Sequence, residues 1–138
     1  MKAEQQQLLI DRYPDLLEIE PSPWGPGMGF TFRVGAAGWF DLLDQFCQAV
    51  TSINRSQGID GIVCRVTYIK EKMGELRITC EGASEQIQIL INEVRLESAR
   101  TCQVCGQYGT LDILPGSVAA TLCEDDAKRL SRPRLRTV

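Results

Sequence analysis

The chain contains no histidine among its 138 residues, and this absence narrows its possible chemistry. Histidine is the commonest general base and the usual partner of a serine or cysteine nucleophile. It is also the commonest nitrogen ligand of zinc. The sequence has no glycine-rich phosphate loop between a strand and a helix, and no pair of carboxylates in a context that indicates acid–base work. We therefore expect a protein that is not an enzyme.

Long apolar runs are also missing. No stretch approaches the roughly 20 apolar residues that cross a bilayer, and the polar residues 1–7 precede no apolar signal core. We expect no membrane contact and a cytoplasmic location. With 43% apolar and 24% charged residues, the composition is that of an ordinary globular protein, and the length is close to one domain.

The apolar residues follow two different periods. Three- and four-residue steps predict amphipathic helices over residues 39–53 and 84–98. Alternation with polar residues predicts strands over residues 30–34, 62–68 and 76–80. The fold class is therefore predicted as α+β, with a small three-stranded antiparallel sheet, helices on one face of it, and a zinc-ribbon-like hairpin after it.

The last two of these strands form the clearest hairpin. We expect Tyr68 to share the buried face with Cys64 and Val66, and residues 70–74 (KEKMG) to supply a solvated turn in which Gly74 takes a positive φ. Free cysteine is among the most buried residue types. Core positions are therefore predicted for Cys47, Cys64 and Cys80.

The strongest local signal is CQVCG at residues 102–106, followed by Cys123. Two thiolates two residues apart can bind one Zn²⁺ from a tight turn. In a reducing compartment, clustered cysteines bind metal more often than they form disulfides. Two short strands, residues 109–114 and 117–122, flank a Pro-Gly turn between the cysteines, which is the layout of a zinc ribbon.

The fourth ligand of such a site falls at position 126, where the chain has an aspartate. Closed structural zinc sites usually use cysteine and histidine, but a carboxylate oxygen can also ligate zinc. We therefore predict zinc as a cofactor. The predicted ligands are Cys102, Cys105, Cys123 and Asp126.

Two alternatives to this metal site remain open. One is a relic ribbon that has lost its metal and is held together by Leu111, Ile113 and Leu122. The other is a redox dithiol, although such a pair normally starts a helix near a βαβ pattern, and this one follows a predicted helix.

Charge is divided unevenly along the chain, whose net charge is −3. Residues 1–127 hold ten basic and all 18 acidic residues, and residues 128–138 hold five basic residues. This division gives a body (residues 1–100), a ribbon-like segment (101–127) and a basic tail (128–138). The tail can contact phosphates of a nucleic acid, or it is simply a solvated terminus. Its basic residues are Lys128, Arg129, Arg132, Arg134 and Arg136.

A protein partner is the leading expectation. An acidic body can cover a basic, nucleic-acid-binding surface on a target protein. Phe40 lies off the apolar stripe of its helix, as do Ile89 and Leu96 on theirs, and exposed aromatic residues are typical interface hot spots. The oligomeric state stays open. The candidate partner-binding residues are Phe40, Asp41, Asp44, Glu93 and Glu97.

Three motifs together resemble a known group of sequences. Residues 38–44 (GWFDLLD), 70–77 (KEKMGELR) and 102–106 (CQVCG) are similar, in order and approximate spacing, to motifs of small uncharacterised phage and prophage proteins. Members of that group have a GW-x-DL-x-D helix, a KEK-x-G-x-LR hairpin and a C-terminal zinc ribbon. The group usually ends in a second C-x₂-C or C-x₂-H, where this chain has Cys123 and Asp126.

The resemblance covers most of the chain, roughly residues 12–127, and implies a layout and a mobile-element origin but no activity. With the acidic body, it leads us to expect a non-enzymatic interaction protein encoded by a phage or prophage. Such a protein would act in the host cytoplasm and modulate or inhibit one host protein, as an anti-defence or immunity-type inhibitor does. The alternative is a zinc-ribbon nucleic-acid-binding module that uses the basic tail.

Overall fold

The computed structural model describes residues 1–17, 36–57, 61 and 63–131, together with the backbone of residues 31–33. A single 3₁₀ turn, Ala37–Trp39, precedes the second helix. In chain order the elements are α1 (Ala3–Arg12), β1 (Thr31–Arg33), α2 (Phe40–Ser56), β2 (Arg65–Lys72), β3 (Glu75–Glu81), α3 (Glu85–Ser98), β4 (Thr110–Leu114), β5 (Val118–Leu122) and α4 (Glu124–Ser131). Among the helices of these described residues, none is long and apolar enough to cross a membrane.

The α+β class is as predicted, but the predicted sheet is not. Among the described strands, antiparallel pairing joins β2 to β3 and β4 to β5, as two separate two-stranded units. The three-residue β1 pairs with β2 in parallel, with Thr31 opposite Tyr68. The prediction of one three-stranded antiparallel sheet is therefore wrong. The reason is that α2 lies between β1 and β2 in the chain, and a crossover through a helix joins parallel strands.

One core holds the body together. The buried faces of α2 and α3 pack against the apolar face of the β2–β3 hairpin. Burial of each large apolar side chain stabilises the fold by roughly 1.5–3 kcal/mol. The buried residues of α2, at three- and four-residue steps, are Leu43, Phe46, Cys47 and Val50. Cys47 and Cys64 are buried and Cys80 packs against them, so all three have the predicted core positions.

A β-bulge changes which residues of β2 face the core. The register shifts between Val66 and Tyr68, so Thr67 is an extra residue. The buried residues are consequently Val66 and Ile69, and Tyr68 is only half-buried. The prediction that Tyr68 lies on the buried face is wrong, because strict alternation does not survive an inserted residue.

The turn between β2 and β3 is shorter than predicted. Lys72 pairs with Glu75, so only Met73 and Gly74 form the loop. Both have positive φ, 53° and 75°, as the mirror-image turns of tight hairpins require. The positive φ of Gly74 is confirmed. The prediction that residues 70–72 belong to a solvated turn is wrong, because they are paired strand residues.

Helix α3 begins directly after Ser84, the first residue of the helix predicted over residues 84–98. The Ser84 hydroxyl accepts a hydrogen bond from the Ile87 amide at 3.3 Å, which satisfies one of the free amides of the first turn. Ile87 and Val94 are buried, whereas Ile89 and Leu96 are 53% and 57% exposed. The predicted strand residues Phe30 and Val34, and the proline-rich loop at 21–27, lie outside the described residues.

Candidate metal centre

The loop of residues 102–106 is closed by its own backbone. A bridge between Thr101 and Tyr108 brings the two ends of the segment together. Inside it, the Cys102 amide donates to the Gln107 carbonyl at 2.7 Å, and the Gly106 amide donates to the Cys102 carbonyl at 3.0 Å. This tight turn directs both of its cysteines toward one point, with Cys102 buried and Cys105 exposed.

The second half of the cluster lies at the start of α4. The Ala127 amide donates to the Cys123 carbonyl at 2.9 Å, and the Asp126 amide donates to the Cys123 Sγ at 3.4 Å. Because the amides at a helix N-terminus favour negative charge, this position suits an ionised carboxylate. One turn of helix thus places Cys123 and Asp126 side by side.

The four side chains predicted as ligands lie together in the structure. Their nearest ligand atoms are all within 4.8 Å of one another. Cys105 Sγ is 3.7 Å from Cys123 Sγ, and Asp126 Oδ2 is 3.1 Å from Cys123 Sγ and 3.3 Å from Cys102 Sγ. A tetrahedral zinc ion with Zn–S bonds of about 2.3 Å places sulfur atoms about 3.8 Å apart. The cluster therefore has the size of a site for one tetrahedral metal ion.

Electrostatics within the cluster favour a cation. Hydrogen bonding from the Cys123 thiol lowers the pKa of Asp126, and burial opposes this effect. Burial raises the pKa of Cys102, but backbone amides, including those of Cys105 and Cys123, outweigh it and lower that pKa overall. The Asp126 amide lowers the pKa of Cys123, whereas the Asp126 carboxylate and the neighbouring thiols raise it to about 12. Ionisation of the Cys123 thiol beside the Asp126 carboxylate is therefore unfavourable unless a divalent metal ion balances the two negative charges.

The cysteine loop is docked onto the start of α2. The Gly38 amide donates to the Gln103 carbonyl at 2.8 Å, and Trp39 Nε1 donates to the Thr101 carbonyl at 2.9 Å. A Cβ at Gly38 would clash with the Cys102 carbonyl oxygen. Trp39 is fully buried at the start of the helix that the sequence predicts over residues 39–53, but the sequence did not predict its contact with the loop. The adjacent Gly38 and Trp39 were the signal for this contact in the sequence. A glycine allows another backbone segment to approach closely, and the indole N–H of a tryptophan is a hydrogen-bond donor.

A second set of bonds ties β5 to the body and to the loop. The Thr121 hydroxyl, which is buried, donates to the Gly74 carbonyl at 2.6 Å. The Thr121 amide donates to Gln103 Oε1 at 2.7 Å, and the Gln103 amide donates to the Thr121 carbonyl at 2.9 Å. The β4–β5 hairpin thus connects the cysteine loop with the β2–β3 turn.

The alternative of a metal-free relic receives little support from packing. Of its three proposed apolar residues, Leu122 is buried, with Cys102 and Ala120. Leu111 and Ile113 are instead 54% and 61% exposed, so they do not form an interior for the hairpin. The small cluster around Leu122 includes Cys102 and Cys123, two of the three cysteines predicted as ligands.

The predicted partner-binding residues do not form one surface. Asp44 has a structural role, because it accepts a hydrogen bond from the Tyr13 hydroxyl at 2.7 Å and pairs with Arg12 at 3.1 Å. Phe40 packs against the core, with the Arg12 guanidinium 5.8 Å from its ring centroid. Phe40 and Asp41 border a cavity of about 330 Å³ beside Cys105.

The other two predicted partner-binding residues lie together elsewhere. Glu93 and Glu97 border a groove of about 170 Å³ between α2 and α3. Glu97 pairs with Arg100 at 2.6 Å. The remaining lining of this groove, most of it apolar, is contributed by Leu42, Gln45, Phe46, Ala49, Leu90 and Val94.

Two of the five predicted nucleic-acid-binding residues are described by the structure. Lys128 and Arg129 lie in α4, where they pair with Glu124 at 2.9 Å and Asp126 at 3.3 Å. These pairs partly neutralise the two cations. Arg132, Arg134 and Arg136 lie outside the described residues, so nucleic-acid binding by the tail stays a prediction.

No known family model matches the chain. No curated protein and no solved structure shows significant similarity to it either. The resemblance to phage and prophage proteins therefore stays a prediction.

Proposed function

We propose that the chain is a non-enzymatic protein-binding module whose C-terminal segment is a zinc-ribbon-like unit held by one zinc ion. The zinc ion would be bound by Cys102, Cys105, Cys123 and Asp126, whose spacing and charge support this assignment. The zinc has a structural role, since it joins the loop that contacts α2 to the start of α4. It supplies rigidity and no chemistry.

The groove between α2 and α3 is the proposed docking surface, and it is the single observation that carries the proposal. Its floor is apolar and it carries the carboxylates of Glu93 and Glu97. Ile89 lies four residues before Glu93, and Leu96 lies three residues after it. Both side chains are therefore on the same stripe of α3 as Glu93, and both are more than half exposed. An apolar trough with acidic borders complements a basic amphipathic helix.

The proposed occupant is therefore one basic amphipathic helix of a partner protein. By covering that helix, the module would modulate or inhibit its target. The net charge of −8 over residues 1–127 favours encounter with a basic protein and disfavours encounter with nucleic acid. That the partner is a host protein, and that the chain is phage-encoded, stay predictions within this proposal.

Site-specific photo-crosslinking in host lysate tests the docking surface. A crosslinker replaces Gln45 in the groove, and a control crosslinker replaces the exposed Thr110 on the hairpin. We expect one protein to be captured from position 45 and not from position 110, with or without nuclease. The crosslinked peptide should be a basic amphipathic helix.

A charge-reversal pair makes this result specific. The double variant Glu93→Lys with Glu97→Lys should abolish the capture. The control is Glu81→Lys with Glu85→Lys, which makes the same change in charge at exposed residues outside the groove and should leave the capture intact. Equal capture by both double variants would contradict the proposal, as would capture that disappears with nuclease or that occurs equally from position 110.

A further inference from the structure

The β2–β3 hairpin has a second groove, at its border with α3, that the proposed function does not use. The groove has a volume of about 330 Å³. Lys70 and Arg77 are direct cross-strand partners in it, and Lys72 is two residues along from Lys70 on the same strand. Arg95 approaches from α3. Four cationic side chains from three elements therefore line one concave surface.

Among the described residues that line this groove there is no carboxylate. Glu75, the cross-strand partner of Lys72, pairs with Arg77 through Nη2 at 2.9 Å. The Nε atoms of Arg77 and Arg95 are both buried and have no hydrogen-bond partner. An unsatisfied buried donor is destabilising, and so are like charges directly opposite each other in a hairpin. An anion in the groove would reduce both effects.

We propose that this groove binds a polyphosphate anion, either free or as the phosphate end of a nucleotide. The described lining holds four cations and no carboxylate, and this positive charge matches a diphosphate or triphosphate better than a single monoanion. Guanidinium groups bind phosphate oxygens through paired hydrogen bonds. Thr79 and Asn92 line the same groove and add neutral donors. The volume is in the range of small-ligand sites.

This proposal is independent of the protein-docking surface, because the two grooves share no lining residue. It also gives a role to the KEKMGELR segment, whose Lys70, Lys72 and Arg77 all line the groove. The fold places these residues on paired strands, and no local sequence rule places Arg95 beside them.

Calorimetric titration of the full chain at low salt tests the site. The probes are inorganic pyrophosphate, triphosphate and orthophosphate, with ADP as the arm that separates a nucleotide from a free polyphosphate. We expect pyrophosphate and triphosphate to bind more tightly than orthophosphate. Tighter binding of ADP than of pyrophosphate would assign the site to a nucleotide, and equal or weaker binding would assign it to free polyphosphate.

Three variants locate the binding. Lys70→Gln with Arg77→Gln should weaken pyrophosphate binding by about tenfold or more, since each charged hydrogen bond contributes that much. Arg95→Gln, from the helix side, should weaken it in a protein whose β-hairpin is untouched. Lys128→Gln with Arg129→Gln on α4 should leave it unchanged. No binding at millimolar pyrophosphate would overturn the proposal, as would an equal loss in the α4 variant or binding only to a single-stranded oligonucleotide.

Discussion

Gly38 shows how one missing side chain positions the cysteine loop. Its amide bonds the Gln103 carbonyl, and a Cβ there would clash with the Cys102 carbonyl oxygen and lie 2.6 Å from the Gly106 nitrogen. These neighbours are backbone atoms, which cannot move aside without opening the turn that carries two metal ligands.

The first prediction concerns this contact. Gly38→Ala should lower the free energy of unfolding by about 1–3 kcal/mol, the usual cost of overpacking, and should weaken metal affinity as well. Ala37→Gly in the same 3₁₀ turn is the matched control, and should cost no more than about 1 kcal/mol with unchanged metal affinity. Urea denaturation and competitive zinc titration measure the two effects. Full stability and affinity in Gly38→Ala would contradict the docking described above.

Tyr13 shows a residue whose role depends on pH. Burial, followed by the hydrogen bond to Asp44, raises the pKa of Tyr13 to about 12 from an ordinary 10.0. Since the folded pKa exceeds the unfolded pKa, the stabilisation from this tyrosine is complete below pH 10. It is lost as the pH rises from about 10 to about 12.

The second prediction follows from this pKa. Tyr13→Phe should lower the free energy of unfolding at pH 7 by about 1–2 kcal/mol, because Asp44 loses a donor. The difference from wild type should shrink between pH 10 and pH 12. The pKa of the Cys47 thiol, which burial raises to about 12, falls in the same window, and the charge of this thiol is a lesser cause of the raised pKa of Tyr13. Tyr108→Phe, at a position 74% exposed, is the control and should match wild type throughout. A constant difference across this pH window would rule the account out.

The elements themselves were largely predictable from the sequence. The three- and four-residue steps located α2 and α3, because this periodicity is a local signal. The bulge at Thr67 and the parallel pairing of β1 were missed. Both depend on which strand is the neighbour, and a single strand sequence does not encode its partner.

The third prediction belongs to the β4–β5 hairpin, which one buried hydroxyl joins to the body. Thr121→Val should leave the Gly74 carbonyl without its donor and lower the free energy of unfolding by about 1–3 kcal/mol. Thr110→Val, the same change at an exposed position of β4, should cost less than about 0.5 kcal/mol. Denaturant unfolding compares the two, and equal effects would show that the hydroxyl contact contributes nothing.

At the scale of the whole molecule, the sequence predicted which residues lie in the cluster but not how the cluster is held. Spacing alone brought Cys102 together with Cys105 and indicated Asp126 as the fourth ligand. The cluster is attached to the body through hydrogen bonds of Gly38, Trp39 and Thr121. Each of these bonds joins two residues that are separated by between 47 and 65 positions in the sequence, and no motif rule relates such distant positions. The two grooves likewise arise only when α3 packs against its neighbours.

Native mass spectrometry of the chain, purified without chelator, tests the central claim most directly. We expect one zinc ion in the wild-type protein, with protons displaced because the thiols bind as thiolates. Zinc should be absent from Cys105→Ser and Cys123→Ser and more weakly held in Asp126→Ala, whereas Asp125→Ala should hold it as wild type does. A wild-type chain that binds no added zinc, or a Cys123→Ser variant that keeps its zinc, would contradict the account.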